Sequence, residues 1–149
     1  MRIRAAREGE ESALTELAIR SKGFWGHDAE FLARSRTALT VHPGDLDRLI
    51  VRVAERDGRV LGFSAVDVAA EKLELLFVEP DAIGSGVGRA LLADARARAA
   101  EAGLSALLIE SDPDAEPFYL AAGAVRIGAR VSSATGRTLP LLRIGVAGS

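Results

Sequence analysis

The order of apolar runs predicts an α/β domain, a mixed sheet of about seven strands flanked by about four helices, and three observations carry that expectation. In "LIVRVAERDGRVLGFSAVDVA" two β-rich runs meet at Asp57-Gly58, a favoured dipeptide of tight hairpin turns, so part of the sheet is antiparallel. From Val87 to Ala102, residues Leu91, Leu92, Ala95, Ala99 and Ala102 fall on one helical face, with Arg89, Arg96 and Arg98 largely off it and Gly103 in the stop position. That helix lies between two strand-like runs, "KLELLFV" and "ALLIE", so strands of both directions are expected.

The remaining elements follow in order. Met1 to Ala5 alternates weakly and reads as a first strand; Leu14, Leu17 and Ala18 then recur at helical spacing. A second helix is expected from Asp28 to Leu39, after a glycine-punctuated loop, "KGFWGH", that carries aromatics. In "KLELLFVEP" strict alternation sends Leu73, Leu75 and Phe77 one way and Glu74, Leu76 and Val78 the other. "SALLIES" reads as a buried strand, "PDAEPFYLAAG" as a short helix, and "AVRIGARV" and "TLPLLRIGV" as closing strands. His42, in "VHPGD", reads as a turn residue.

With 149 residues, 48% of them apolar and 27% charged, the chain can bury one core, and a single domain over 1–149 is expected. Its formal net charge is −2 and its cations are scattered, which marks neither a nucleic-acid surface nor a membrane-binding face. No run approaches a membrane span or a signal-peptide apolar region, so a cytoplasmic protein is expected. The absence of cysteine excludes disulfides and thiolate chemistry, and two separated histidines do not form a metal site, so none is expected.

The stretch "FVEPDAIGSGVGRALL" places Gly84, Gly86 and Gly88 directly before the long helix, where backbone N–H groups lack intrahelical partners and favour an anion. A P-loop needs Gly-Lys-Ser/Thr, and the only lysines are Lys22 and Lys72. The dinucleotide fingerprint, with Glu110 as its ribose-binding acid, fails on spacing: counted from Gly84 the third glycine position is Arg89, and from Gly86 it is Leu91.

On these residues the chain resembles the GCN5-related N-acetyltransferase (GNAT) family. The family's strand ending Val-x-Pro and its Arg/Gln-x-x-Gly-x-Gly/Ala loop are matched by Val78, Pro80, Gly86 and Gly88, with Ile83 where Arg or Gln is usual. The family's Asn-x-x-Ala-x-x-Phe-Tyr-x-x-x-Gly-Phe is matched in "DPDAEPFYLAAGA" by Ala115, Phe118, Tyr119 and Gly123, with Asp112 for the Asn and Ala124 for the Phe. The resemblance covers nearly the whole chain. It implies a sheet splayed between the fourth and fifth strands, acetyl-CoA as cosubstrate, and transfer of its acetyl group to a primary amine of a small molecule or peptide.

The resemblance also assigns residues. Coenzyme A would lie along Leu76, Phe77 and Val78, its phosphates on Ile83, Gly84, Ser85, Gly86, Val87, Gly88 and Arg89, with Asp112 and Phe118 beside the pantetheine arm. Asp112 could equally cap the helix beginning near Pro113. The Val78 N–H would hold the oxyanion and Tyr119 would protonate the leaving sulfur; packing against Phe118 is the alternative for Tyr119. Glu74, read as sharing the face of Val78, is the candidate base and substrate contact, with a solvated strand-edge charge as its alternative; Lys72 could lower its pKa. Glu71 and Glu79 are weaker candidates. Phe24, Trp25 and His27 would border the acceptor. A non-catalytic acyl-CoA-binding module is the competing function, and the oligomeric state, a homodimer included, stays open.

Overall fold

The computed structural model describes residues 1–24, 29–133 and 135–146. Strand β1 (Arg2–Ala5) leads into helices α1 (Glu11–Gly23), α2 (Ala29–Leu39) and α3 (Asp45–Arg48). Strands β2 (Ile50–Arg56), β3 (Arg59–Asp67) and β4 (Lys72–Val78) form a meander, followed by α4 (Val87–Glu101), β5 (Ala106–Glu110), α5 (Glu116–Ala121), β6 (Val125–Val131) and β7 (Thr138–Gly145). The seven strands make one sheet in the order β1-β2-β3-β4-β5-β7-β6. All neighbours are antiparallel except β4 and β5, which are parallel. Among the described residues no helix is long and apolar enough to cross a membrane.

Local chemistry accounts for the boundaries. Asp57 (φ 53°) and Gly58 (φ 76°) both take positive φ, the signature of a turn whose twist suits a hairpin. The stripe of Leu91, Leu92, Ala95 and Ala99 is buried, and Gly103 at φ 90° lets the Leu104 N–H return to Ala99 O at 3.0 Å. Ala102, expected on that stripe, lies just past the helix end and is exposed. The short α3 was not anticipated; beside it His42 and Asp45 close a turn, as expected for His42.

Each face of the sheet has its own core. Leu14, Leu17 and Ala18 of α1 and Leu39 of α2 pack on Val51, Val53, Phe63, Ala65 and Leu75. On the opposite face α4 covers Val66, Leu73, Leu107 and Ile109 through Leu92, Ala95 and Ala99, while Ala54, Leu61 and Ala82 enclose Val87 and Leu91. Strand β5 buries only Leu107 and Ile109 and leaves Leu108 exposed, so it is half-buried rather than buried.

The alternation read along β4 is broken by a bulge. Leu75 pairs with Ala65 and Leu73 with Val66, which leaves Glu74 as the extra residue. Leu73 therefore joins Leu76 on the α4 side, while Leu75 and Phe77 join the α1–α2 side. The expectation that Leu73 shares a face with Leu75 and Phe77 is corrected by that one residue.

Candidate active site

Strands β4 and β5 touch at a single register position, Lys72 opposite Leu108, with the Leu108 N–H bonded to Glu71 O at 2.9 Å. Beyond it they separate, and the ladder phase decides what faces the gap. The Glu79 N–H donates to Leu61 O at 2.8 Å, and Gly62 opposes Val78 one step earlier. In an antiparallel pair, hydrogen-bonded and non-hydrogen-bonded positions alternate. The main-chain groups of Val78 and Leu76 thus point away from β3, into the gap. They form an open sheet edge inside the molecule.

That edge is one wall of a cavity of about 640 Å³. Leu76, Phe77 and Val78 give one side, Ile83, Gly84, Gly86, Gly88 and Arg89 the mouth, and Asp112, Phe118 and Tyr119 the far side. At the mouth, Gly84 (φ 85°) and Gly86 (φ 91°) take left-handed backbone, and a Cβ on either would meet nothing within 4 Å. Their glycines serve the backbone turn rather than close packing. Helix α4 makes its first bond from the Ala90 N–H to Gly86 O at 3.0 Å, which leaves the N–H groups of Val87, Gly88 and Arg89 without intrahelical acceptors. Donors unpaired among the described residues and the positive end of a 15-residue helix converge on the mouth.

Two residues expected there turn their side chains elsewhere. Val87 is buried against Ala54, Leu61 and Leu91, because it begins the core stripe of α4, and only its N–H serves the mouth. Ser85 turns its hydroxyl back to Ala82 O and does not line the cavity. Ile83 lines the mouth as an apolar wall.

Tyr119 is buried within the α4–β5 core, edge-on to Phe118 with ring centres 5.1 Å apart, and burial raises its pKa above the ordinary phenol value. Among the described residues no hydrogen bond ends on its hydroxyl, and the residue borders the cavity. Its proton is held firmly at neutral pH. Packing with Phe118 and a place on the cavity wall belong to the same side chain.

A second cavity of about 190 Å³ lies on the α1–α2 side. Glu74 lines it together with Lys22, Phe31, Lys72, Phe77, Glu110, Asp112 and Arg137. Glu74 does not share the face of Val78, as strict alternation implied: the bulge turns it the other way, with Leu75. Lys72 stands 3.7 Å from Glu74 and 3.4 Å from Glu110. Lys22, Phe77 and Asp112 border both cavities, so the two meet at the end of β4.

Asp112 does not cap α5, whose N-cap is Ala115. It accepts the Asp114 N–H at 3.0 Å and pairs with Lys22 at 3.0 Å and Arg137 at 3.5 Å. Burial pushes its pKa up, but the Asp114 N–H and the two cations outweigh it, and the net direction is down. Glu79 is buried in a pair with Arg20 and borders neither cavity, and Glu71 sits in the turn before β4. Phe24 ends α1, is 52% exposed and borders neither cavity; Trp25 and His27 lie outside the described residues.

Lys22, Phe31 and Arg137 escaped sequence reasoning because α1, α2 and the approach to β7 meet only in the fold. One signal was present: in a chain whose cations are nearly all arginine, both lysines, Lys22 and Lys72, line the second cavity.

The acetyltransferase (GNAT) domain family matches residues 44–141, two thirds of the chain. The chain belongs to the GNAT acetyltransferase family. GNAT acetyltransferases use acetyl-CoA as acetyl donor, and the open β4 edge and glycine mouth lie within the matched segment. The chain is 41% identical over 63 residues to an IAA acetyltransferase of Azospirillum brasilense, a segment spanning 40% of this chain and 41% of that protein. Its fold is similar to a GCN5-related N-acetyltransferase from Rhodopseudomonas palustris (TM-score 0.83, 17% identity, covering 97% and 94% of the two chains). It is also similar to the PaiA N-acetyltransferase from Thermoplasma acidophilum solved with coenzyme A (TM-score 0.77, 16% identity, covering 97% and 98%). This GNAT chain has the open β4 edge and the glycine mouth, with Ile83 and Asp112 lining the larger cavity.

Proposed function

We propose that the protein transfers the acetyl group of acetyl-CoA directly to a primary amine of a small molecule or peptide. The observation that carries this reading is the unpaired β4 edge, Leu76 and Val78, running from the α4 N-terminus to the junction of the two cavities. An extended arm with amide groups fits such an edge as an added strand, and a pyrophosphate fits the free N–H groups of Val87, Gly88 and Arg89. Arg89 adds a cation at that mouth, Ile83 adds none, and Phe118 and Asp112 flank the arm's far side.

The amine nitrogen attacks the thioester carbon from the second cavity, forming the C–N bond. The carbonyl oxygen gains charge and is met by the Val78 N–H; a preorganised donor of this kind contributes roughly 10²- to 10³-fold in rate. As the C–S bond breaks, the Tyr119 hydroxyl gives its proton to the sulfur. Burial raises the Tyr119 pKa, so the hydroxyl keeps its proton until the sulfur departs. Glu74 takes the proton of the incoming ammonium, directly or through a water, so that the attacking nitrogen is neutral; the second N–H proton, lost as the tetrahedral intermediate collapses, restores the Tyr119 hydroxyl through solvent. The products are an N-acetyl amine and free coenzyme A.

Incubating the protein with acetyl-CoA and a panel of primary amines, with detection of free thiol, tests the reading. Amine-dependent thiol release supports it. Tight acetyl-CoA binding with no release from any amine overturns it in favour of an acyl-CoA-binding module.

A further inference from the structure

We propose that the acceptor is a small aminocarboxylate, an amine carrying a carboxylate on the same molecule, and that Arg137 and Lys22 receive that carboxylate in the second cavity. The inference rests on the N-acetyltransferase reading and specifies its acceptor.

Size comes first. At about 190 Å³ the cavity is smaller than the roughly 300–1,000 Å³ of drug-sized sites, so it suits a compact acceptor. Its charges are sorted into two groups. On one wall the Lys22 ammonium and the Arg137 guanidinium both reach the same oxygen of Asp112, at 3.0 and 3.5 Å. Both cations stand over the Phe31 ring, 5.5 and 5.1 Å from its centre. Among the described residues that wall holds two cations for one carboxylate. Both are sheltered, with side chains 16% and 29% exposed, so an anion placed there is screened less than at the open surface.

The other group of lining charges holds two carboxylates and one cation, Lys72. Glu74 and Glu110 share Lys72, and Glu110 also takes Arg130 at 2.5 Å, whereas among the described residues Glu74 keeps only the 3.7 Å contact to Lys72. Glu74 is the carboxylate left for an incoming ammonium, beside the end of β4 where transfer occurs. A simple amine satisfies Glu74 and leaves the Arg137–Lys22 wall unmatched. An aminocarboxylate satisfies both. The planar guanidinium, steadied on Phe31, offers the two-pronged donor that fits a carboxylate.

A purely structural role, tying α1, the end of β5 and the approach to β7 together through Asp112, makes a different prediction: loss of Arg137 would impair every acceptor alike. The test compares the common L-α-amino acids, β-alanine and γ-aminobutyrate with their own carboxamides, which keep size and amine but lose the negative charge. Thiol release from acetyl-CoA gives kcat/KM for each pair. In the native protein the best acid should exceed its amide by at least about tenfold, the lower end for hydrogen bonds to a charged group. Arg137→Gln should cut that ratio by about 10- to 100-fold, mainly through KM, and Arg137→Lys should restore part of it. Melting temperature and acetyl-CoA affinity establish that both variants are folded. Amides turned over as well as acids by the native protein, or an Arg137→Gln loss equal for both members of each pair, would overturn the inference and leave amine transfer standing. Acetyl-CoA binding with no thiol release from any acid or amide would remove the transfer reading and this inference with it.

Discussion

Gly62→Ala should destabilise the protein through a clash at the back of the active-site strand. An added Cβ would sit 2.7 Å from Phe77 O, 3.0 Å from Leu91 Cδ1 and 3.3 Å from Val78 Cα. Ordinary carbon–oxygen contact begins near about 3.3 Å, so β3 and β4 must part by about half an ångström. The leucine end can rotate away; the carbonyl, held in the ladder between central strands, cannot. Overpacking of this kind costs about 1–3 kcal/mol, offset by the roughly 0.4–1 kcal/mol that Gly→Ala gains by restricting the unfolded chain. At the middle of these ranges the net loss is about 1.3 kcal/mol, or a fall of roughly 3–5 °C in melting temperature at this chain length. Gly128→Ala is the matched control: it lies in the exposed strand β6, at ordinary φ, with nothing within 4 Å of the added atom, and should melt at or slightly above the native protein. Scanning calorimetry of both variants decides. A Gly62→Ala protein that melts as high as the native one would refute the clash. Well below the transition it should also bind acetyl-CoA more weakly, because Val78 is moved.

Three further outcomes are expected. Gly86→Glu puts a side chain at φ 91° and a negative charge among the free N–H groups of α4, so calorimetric titration should show acetyl-CoA binding at least about tenfold weaker; unchanged affinity would remove the phosphate assignment. Tyr119→Phe should lower turnover by roughly 10²- to 10⁴-fold with acetyl-CoA affinity retained, and loss of both together would make the residue structural. Since its folded pKa lies above the unfolded value near about 10, the native state keeps a proton that the unfolded chain releases, so stability falls as pH rises past about 10, and Tyr119→Phe should flatten that limb. Asp112 has the opposite sign: its folded pKa lies below the unfolded value near about 3.9, so its contribution is present above about pH 4 and lost as pH falls through the folded pKa. Acid titrations of Asp112→Asn should therefore show a shallower loss, and an unchanged acid limb would mean that the two cations do not hold it.

What the sequence reveals about this fold is what nearest neighbours along the chain decide. The Asp57-Gly58 hairpin, the stripe of α4 and the glycine mouth each rest on a few adjacent residues whose conformational demands no distant contact overrides. The second cavity is the opposite case. Lys22 and Asp112 are 90 positions apart, and nothing in "RSKGF" or "ESDPD" announces that they meet. Phe31 and Arg137 likewise stack only after α2 and the approach to β7 are folded against β4.

Glu74 marks the boundary between the two cases, because its residue type was readable and its direction was not. A strand of strict period places Glu74 with Val78; a single unpaired residue, set by the register of β3 against β4, reverses that. The reversal has a chemical use. Side chains before the bulge's end, Glu74 and Leu75, border the smaller cavity, while the main chain after it, at Leu76 and Val78, opens toward the larger one. In the proposed mechanism one strand then offers a carboxylate to the amine and an N–H to the thioester, with Phe77 in the walls of both cavities. Were β4 regular, Glu74 would point under α4 into the apolar cluster of Leu76, Leu92 and Ala95, where an unpaired carboxylate is costly. The bulge is thus what keeps a glutamate at this position out of the core and on the wall of the smaller cavity, which meets the larger one at the end of β4.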